Sequence, residues 1–145
     1  MADWFDIDSD SPYMLLVAVV VANRRREMSE SEQQLFGIEK LNVPRSDIPA
    51  VTHVDYSARI QTVHQDTNPR YHALISAFKQ RTGCPVVVNT SFTVRGEPIV
   101  CTPEDAFRCF MGTDIETLVL GNCYLKKETQ DPALKLNYET AFELD

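Results

Sequence analysis

The chain has 145 residues, 43% of them hydrophobic and only 5 of them glycine, so it can bury a core of its own and is too apolar for a disordered segment. Its formal net charge is −7, without the basic face of a duplex nucleic-acid binder, so nucleic acid is not an expected partner. A single domain over residues 1–145 is the expectation for this length, with loosely held ends at 1–12 and 128–145.

Residues 1–12 are polar and acidic. Tyr13 to Val21, YMLLVAVVV, is an unbroken aliphatic run of strand length and predicts a strand covered on both faces. The longest apolar run, Met14 to Ala22, has nine residues, whereas a membrane span needs about 20. The acidic residues before it are unlike the basic start of a signal peptide, so a cytoplasmic protein with no membrane partner is expected. Residues 23–49 form a long charged excursion with at most a short helical turn near Glu30–Phe36. Arg24-Arg25-Arg26 is followed by Glu27, Glu30 and Glu32, a mixed pattern that suits a solvated turn.

Val51 to Val63 alternates. Val54, Tyr56, Ala58, Ile60 and Thr62 fall on one side of an extended strand; His53, Asp55, Ser57, Arg59 and Gln61 fall on the other. Such a polar face is either solvated or lines a cleft. Asn68-Pro69 starts a helix, with Tyr71, Leu74, Ile75 and Phe78 at amphipathic spacing and Gly83 as its stop. Cys84 to Val88 predicts a buried strand. Thr102, Pro103 and Asp105 approximate a capping box for a helix that buries Ala106, Phe107 and Phe110 and ends at Gly112. Glu116 to Leu120 and Cys123 to Leu125 predict two final strands joined at Gly121-Asn122. The fold class is therefore α/β or α+β around one mixed, twisted sheet with flanking helices.

Cys84, Cys101, Cys109 and Cys123 contain no C-x-x-C pair, and Cys84 and Cys101 sit in apolar runs that suit buried thiols. His53, His64 and His72 show no ligand spacing with one another or with the cysteines, so neither a metal site nor a resident cofactor is expected. The densest chemistry runs from Asn89 to Phe110. There the carboxamide of Asn89 and the hydroxyls of Thr90 and Ser91 follow an apolar segment, where open α/β sheets bind ligands, although the same residues also make plain turns. Arg95 precedes Gly96 and Glu97; its guanidinium can fork onto a phosphate or carboxylate, or pair with a surface acid. Arg59 is the other anion-binding candidate, and His53 and Asp55 share its predicted face. No G-x-S-x-G, P-loop or G-x-G-x-x-G occurs, and no catalytic residue is assigned.

The stretches WFDIDSDSPYMLLVA, GIEKLNVPRSDIPAVTHVDYSARIQTV, NPRYHALISAF, TGCPVVVNTSFTVRGEPIVCTPEDAFRCF and LVLGN, in this order, resemble the C-terminal region of the NodU/CmcH-type O-carbamoyltransferases. The resemblance covers most of residues 4–122. It implies the later part of a YrdC-like domain, whose kind converts carbamoyl phosphate and ATP to carbamoyl adenylate. It also implies a metal-bearing Kae1-like region that passes the carbamoyl group to an acceptor hydroxyl. On this likeness His53, Asp55, Arg59, Asn89, Thr90, Ser91 and Arg95 lie at or near the substrate pocket, with carbamoyl phosphate and ATP as substrates. Thr93 departs from the family's NTSFN. The Kae1-like region, and a segment of the form GPRALGNRS after it, have no counterpart in these residues. The expected partner is thus a Kae1-like domain, on another chain or in an upstream part absent here. The isolated chain is expected to be inactive and to form homo-oligomers or partnered complexes. A second reading keeps the fold without catalysis, as an interaction or ligand-binding module.

Overall fold

Leu16–Val20 (β2), LVAVV, is aliphatic at every position and has a strand on either side. Phe5–Asp6 (β1) lies antiparallel on one side, with Phe5 opposite Val20. Ser57–Ile60 (β3) lies antiparallel on the other, with Ala18 opposite Ala58 and Val17 opposite Arg59. The computed structural model describes residues 1–94 and 96–135. It divides into two compact units, Met1–Val88 and Asn89–Asp145.

In the first unit, one face of the β1–β2–β3 sheet carries the core: Trp4, Phe5, Ala18, Val20, Ala58 and Ile60, with Ile48 from the connecting excursion. Ile7, Val51, Cys84 and Val86 pack at its margin. Full burial of a valine such as Val20 contributes about 1.5–3 kcal/mol. Residues 1–12, expected as a loosely held end, thus supply β1 and the buried Trp4 and Phe5. The strand expected to be covered on both faces is covered on one. Ala18 and Val20 are buried, while Val17 and Val19 face water.

The excursion after β2 is more ordered than its charges suggest. It contains Glu30–Gln33 (α1), capped by a Ser29–Glu32 box, and Gly37–Leu41 (α2). The arginine triplet lies in a largely exposed turn, as expected, but each of its side chains has a defined partner. Arg24 lies over the Trp4 ring at 4.3 Å and reaches Asp47 at 3.5 Å. The Arg25 Nε donates to the Val20 carbonyl at 2.6 Å, and Arg26 also reaches Asp47 at 3.5 Å. Three cations on one strand exit are held here by a ring face, a carbonyl and a carboxylate. They tie the exit of β2 to Arg45–Asp47, where Arg25 bridges Ser46.

Pro69–Thr82 (α3) begins and ends where its punctuation predicts. The Asn68 side chain accepts from the Tyr71 amide, and Gly83 adopts φ 77°, which costs a Cβ-bearing residue strain. Its apolar stripe is only partly covered: Tyr71 and Ile75 are half-buried, Leu74 and Phe78 are exposed, and no residue of α3 is fully buried. Cys84 to Val88 forms no strand. Pro85 removes a ladder donor, and the segment finds no pairing strand among the described residues.

In the second unit, Pro103–Gly112 (α4) packs Ala106, Phe110 and Met111 against Leu118, with Phe92, Val100, Phe107 and Leu125 around them. Leu118 belongs to Thr117–Leu120 (β4), which pairs antiparallel with Cys123–Lys126 (β5) across a turn in which Gly121 has φ 58°. The Thr102 hydroxyl accepts from the Asp105 amide, and the Asp105 carboxylate accepts from the Thr102 amide, completing the capping box. At the other end, the Lys127 ammonium donates to the carbonyls of Phe110 and Thr113, a cation where the helix dipole is negative. Burial lowers its pKa. Cys109 is buried, whereas Cys101, expected inside, is exposed. The expected loose end at 128–145 shows short 3-10 turns at Lys127–Thr129 and Pro132–Leu134; residues 136–145 lie outside the described residues.

The class is α+β. The single mixed sheet is corrected to a three-stranded and a two-stranded antiparallel sheet, with no parallel pair among the described residues. A mixed sheet needs Cys84–Val88 as a paired strand, and that segment has none. Among the described residues no helix is long and apolar enough to cross a membrane.

Thr102→Ala removes one half of the capping box and should lower unfolding free energy by about 1 kcal/mol in urea titrations. Phe110→Ala, at a fully buried position, should cost about 3–5 kcal/mol in the same measurement.

Candidate functional site

The residues expected to share one strand face are split by a turn. Asp55 accepts through one carboxylate oxygen from the Ser57 amide at 3.0 Å and from the Ser57 hydroxyl at 2.6 Å. This is an Asx-type turn, in which a short carboxylate replaces a backbone acceptor. The Tyr56 amide donates to the His53 carbonyl, and Tyr56 takes φ 65°. The chain therefore reverses over His53–Tyr56 and becomes a strand only at Ser57. His53 and Asp55 stand in the turn, not on the strand.

Ser57 joins the two. Its hydroxyl lies 2.9 Å from the His53 Nδ1 and donates to Asp55. The hydrogen bonds from Ser57, side chain first and then backbone, hold the Asp55 carboxyl below its ordinary pKa. The cluster is a hydrogen-bonded chain that launches β3. Sequence spacing offered a signal for it, Asp-x-Ser, which alternation masked.

Arg59 is on β3 with its side chain exposed, directly across from Val17. Its Nη2 donates to the Met14 carbonyl at 3.2 Å, and no carboxylate pairs with it among the described residues. The Gln61 amide next to it donates to the Pro12 carbonyl at 3.0 Å. A guanidinium held at one nitrogen keeps its other donors for an anion.

Asn89, Thr90 and Ser91 open the second unit as an exposed segment outside any helix or strand. Thr93 closes the loop after them; its hydroxyl lies 2.6 Å from the Glu97 carbonyl and 3.0 Å from that of Val94. The Glu97 carboxylate in turn accepts from the Val94 amide at 3.4 Å. The Thr93 hydroxyl thus serves the geometry of its own loop. Gly96 has φ 80°, a conformation that suits glycine, while Arg95 lies outside the described residues. The structure therefore joins His53 and Asp55 through Ser57, sets Arg59 two residues further on, and presents Asn89–Ser91 in the other unit. No group of three or more potential metal ligands occurs among the described residues.

Ser57→Ala should raise the Asp55 pKa toward the ordinary carboxylate range, as read by carboxyl carbon NMR. In the native chain a depressed pKa means that the turn gains stability above the unfolded value and loses it as pH falls through the folded one. The variant should lose that acid-limb dependence.

The model of the family described as carbamoyltransferase C-terminus matches residues 1–127. An uncharacterized protein of Synechocystis sp. is 56% identical over 146 residues, covering 100% of this chain and 24% of its own length. The nodulation protein NolNO of Sinorhizobium fredii is 41% identical over 115 residues, 77% of this chain and 17% of its own. The 3'-hydroxymethylcephem-O-carbamoyltransferase of Streptomyces clavuligerus is 38% identical over 82 residues, 57% of this chain and 16% of its own. The chain spans a quarter or less of each of these relatives. With most of its length matched by that model, the chain belongs to the carbamoyltransferase C-terminal domain family.

Proposed function

We propose that the chain acts as the later part of a YrdC-like domain in an O-carbamoyltransferase, contributing to the binding of carbamoyl phosphate and ATP and to formation of carbamoyl adenylate. Transfer to an acceptor hydroxyl belongs to a Kae1-like region, elsewhere in the enzyme or on another chain. Family membership supports the class of reaction. The observation that carries the role of this chain is Arg59, an exposed guanidinium on β3 with no carboxylate paired to it among the described residues.

Carbamoyl phosphate is a small dianion: water attacks its carbamoyl carbon, the bridging oxygen leaves with the phosphate, and an oxygen of the resulting carbamate attacks the α-phosphorus of ATP, forming carbamoyl adenylate and expelling pyrophosphate. Charge grows on the leaving phosphate in the first step, and a guanidinium stabilises it more in the transition state than in the ground state. Arg59 has the chemistry for this, and Arg95 is assigned the same role from the family resemblance. The family resemblance, taken alone, assigns a neutral-donor role to the amide of Asn89 and the hydroxyls of Thr90 and Ser91. His53 and Asp55 are engaged with Ser57 and with the turn; they are proposed to position β3, two residues before Arg59.

A non-catalytic module built on the same domain is the second reading, favoured by one observation: the aliphatic side chains that β2 leaves in water. Calorimetry separates the two. Carbamoyl phosphate titrated into the chain together with the N-terminal remainder of the Synechocystis relative should bind, and Arg59→Ala should weaken binding roughly tenfold, as expected for losing one charge-assisted contact. Arg95→Ala should do the same. Native and Arg59→Ala proteins with the same affinity would remove that arginine from the site, and no binding by either would leave the module.

A further inference from the structure

We propose that the outer face of the β1–β2–β3 sheet, centred on Val17 and Val19, is a docking surface for the N-terminal polypeptide of the carbamoyltransferase. The inference rests on the reading of this chain as one part of that larger enzyme. Val17 is 59% exposed and Val19 37%, and Leu15, just before the strand, is 80% exposed. The opposite face holds Ala18 and Val20 in the core. An antiparallel sheet with one face in water normally alternates aliphatic and polar residues. This strand is aliphatic on both.

β3 pairs Leu16 to Val19 of β2 on one edge, whereas β1 pairs only Val19 and Val20 on the other, so both the outer side-chain face and the edge at Leu16–Ala18 are open to a partner. A partner that covers Val17 and Val19 must lie on the sheet as a second layer, since an added strand would pair the edge and leave both side chains in water. The register also fixes its flanks. Asp6 sits opposite Val19, and Arg59 sits opposite Val17, so the aliphatic stripe runs between one acid and one base. A lipid surface fits this poorly, since anionic headgroups attract basic clusters and this face carries one arginine beside one aspartate.

A polypeptide fits better, and the relatives say where it comes from. The chain corresponds to 24%, 17% and 16% of three of them, and the matched family segment is the carboxyl-terminal one. Most of each relative is therefore sequence N-terminal to this domain. An apolar ridge from that region, with a cation facing Asp6, complements the stripe. Directly opposed side chains on neighbouring strands lie about 5 Å apart, so a layer over Val17 also screens Arg59 from water. Docking thereby strengthens the hold of Arg59 on phosphate by lowering the local dielectric.

The test measures burial, independently of substrate. Val17→Cys is placed in the chain with Cys101 and Cys123, the exposed native thiols, changed to serine. A maleimide then labels the isolated chain, and the same chain fused in place of the matching quarter of the Synechocystis relative. Labelling of the introduced thiol should be roughly tenfold slower or more in the fusion, as for a site reached only by local opening. Equal rates in the two would overturn the proposal, as would protection in the isolated chain that rises with its own concentration, which would assign the face to a second copy. If the fusion does not fold, the relative's N-terminal polypeptide is added in trans. Its association should then weaken roughly tenfold with Val17→Asp, and unchanged association would count against the face. Loss of carbamoyl phosphate binding alone would leave the labelling result readable, and unprotected labelling would leave the role of Arg59 standing.

Discussion

Val20 has none of its surface in water, and Ala18 beside it has almost none. That inner row of β2, closed by Phe5 from β1 and by Ala58 and Ile60 from β3, governs the rest of the first unit. Side chains alternate along a strand with period two, so burying Ala18 and Val20 turns Val17 and Val19 outward. The pairing of Val17 with Arg59 then turns the guanidinium outward as well. A one-residue slip of β3 would drive Arg59 into the core and lift Ala58 or Ile60 into water. The cost of an unpaired buried cation excludes that register. The packing of small aliphatic residues thus sets the position of the one group on this sheet suited to a phosphate.

The turn before β3 adds precision. Asp55 has two donors from a single serine, and His53 approaches the same hydroxyl from the other side. A carboxylate and an imidazole in sequence proximity suggest acid–base chemistry, but here the intervening serine takes up both. What they provide is a fixed starting point for a four-residue strand. Short strands gain little from their own ladder bonds and depend on how their ends are held. The arginine triplet does the same at the exit of β2, through Trp4, Val20 and Asp47.

How much of this the sequence discloses follows from the range of the forces involved. Both helix starts and the final hairpin are local events. Asn68 caps with the amide three residues on, Thr102 and Asp105 cap each other, and Gly121 allows a positive φ, so each is visible in a few residues. Strands are not local. Cys84 to Val88 has strand composition but no pairing partner among the described residues, and composition cannot supply one. The alternation from Val51 to Val63 is genuine from Ser57 to Ile60 and accidental before it, because Asp55 captures Ser57 and forces a reversal. Arg24 over Trp4 joins residues 20 apart, and nothing in a charge pattern announces a ring. Of the candidate site, Arg59 and Asn89–Ser91 were found as residue types. The place of Arg59 on the polar side of β3 is legible in the alternation; its pairing with Val17 is not, since that depends on register.

The proposed role of Arg59 has to be met from an exposed position. Two unit charges 4 Å apart attract by about 1 kcal/mol in bulk water and by about 4 kcal/mol at the effective dielectric of a partly buried site. A lone guanidinium in water therefore holds a small dianion weakly, however well it is aimed. Raising that hold by burying the arginine in its own domain would leave a desolvated cation whenever substrate is absent. Leaving it at the surface beside an aliphatic stripe avoids the penalty in the free domain. In the proposed arrangement the N-terminal polypeptide would supply the covering layer. On this view the aliphatic outer face and the arginine are two halves of one arrangement: the first recruits the layer, and the layer makes the second effective.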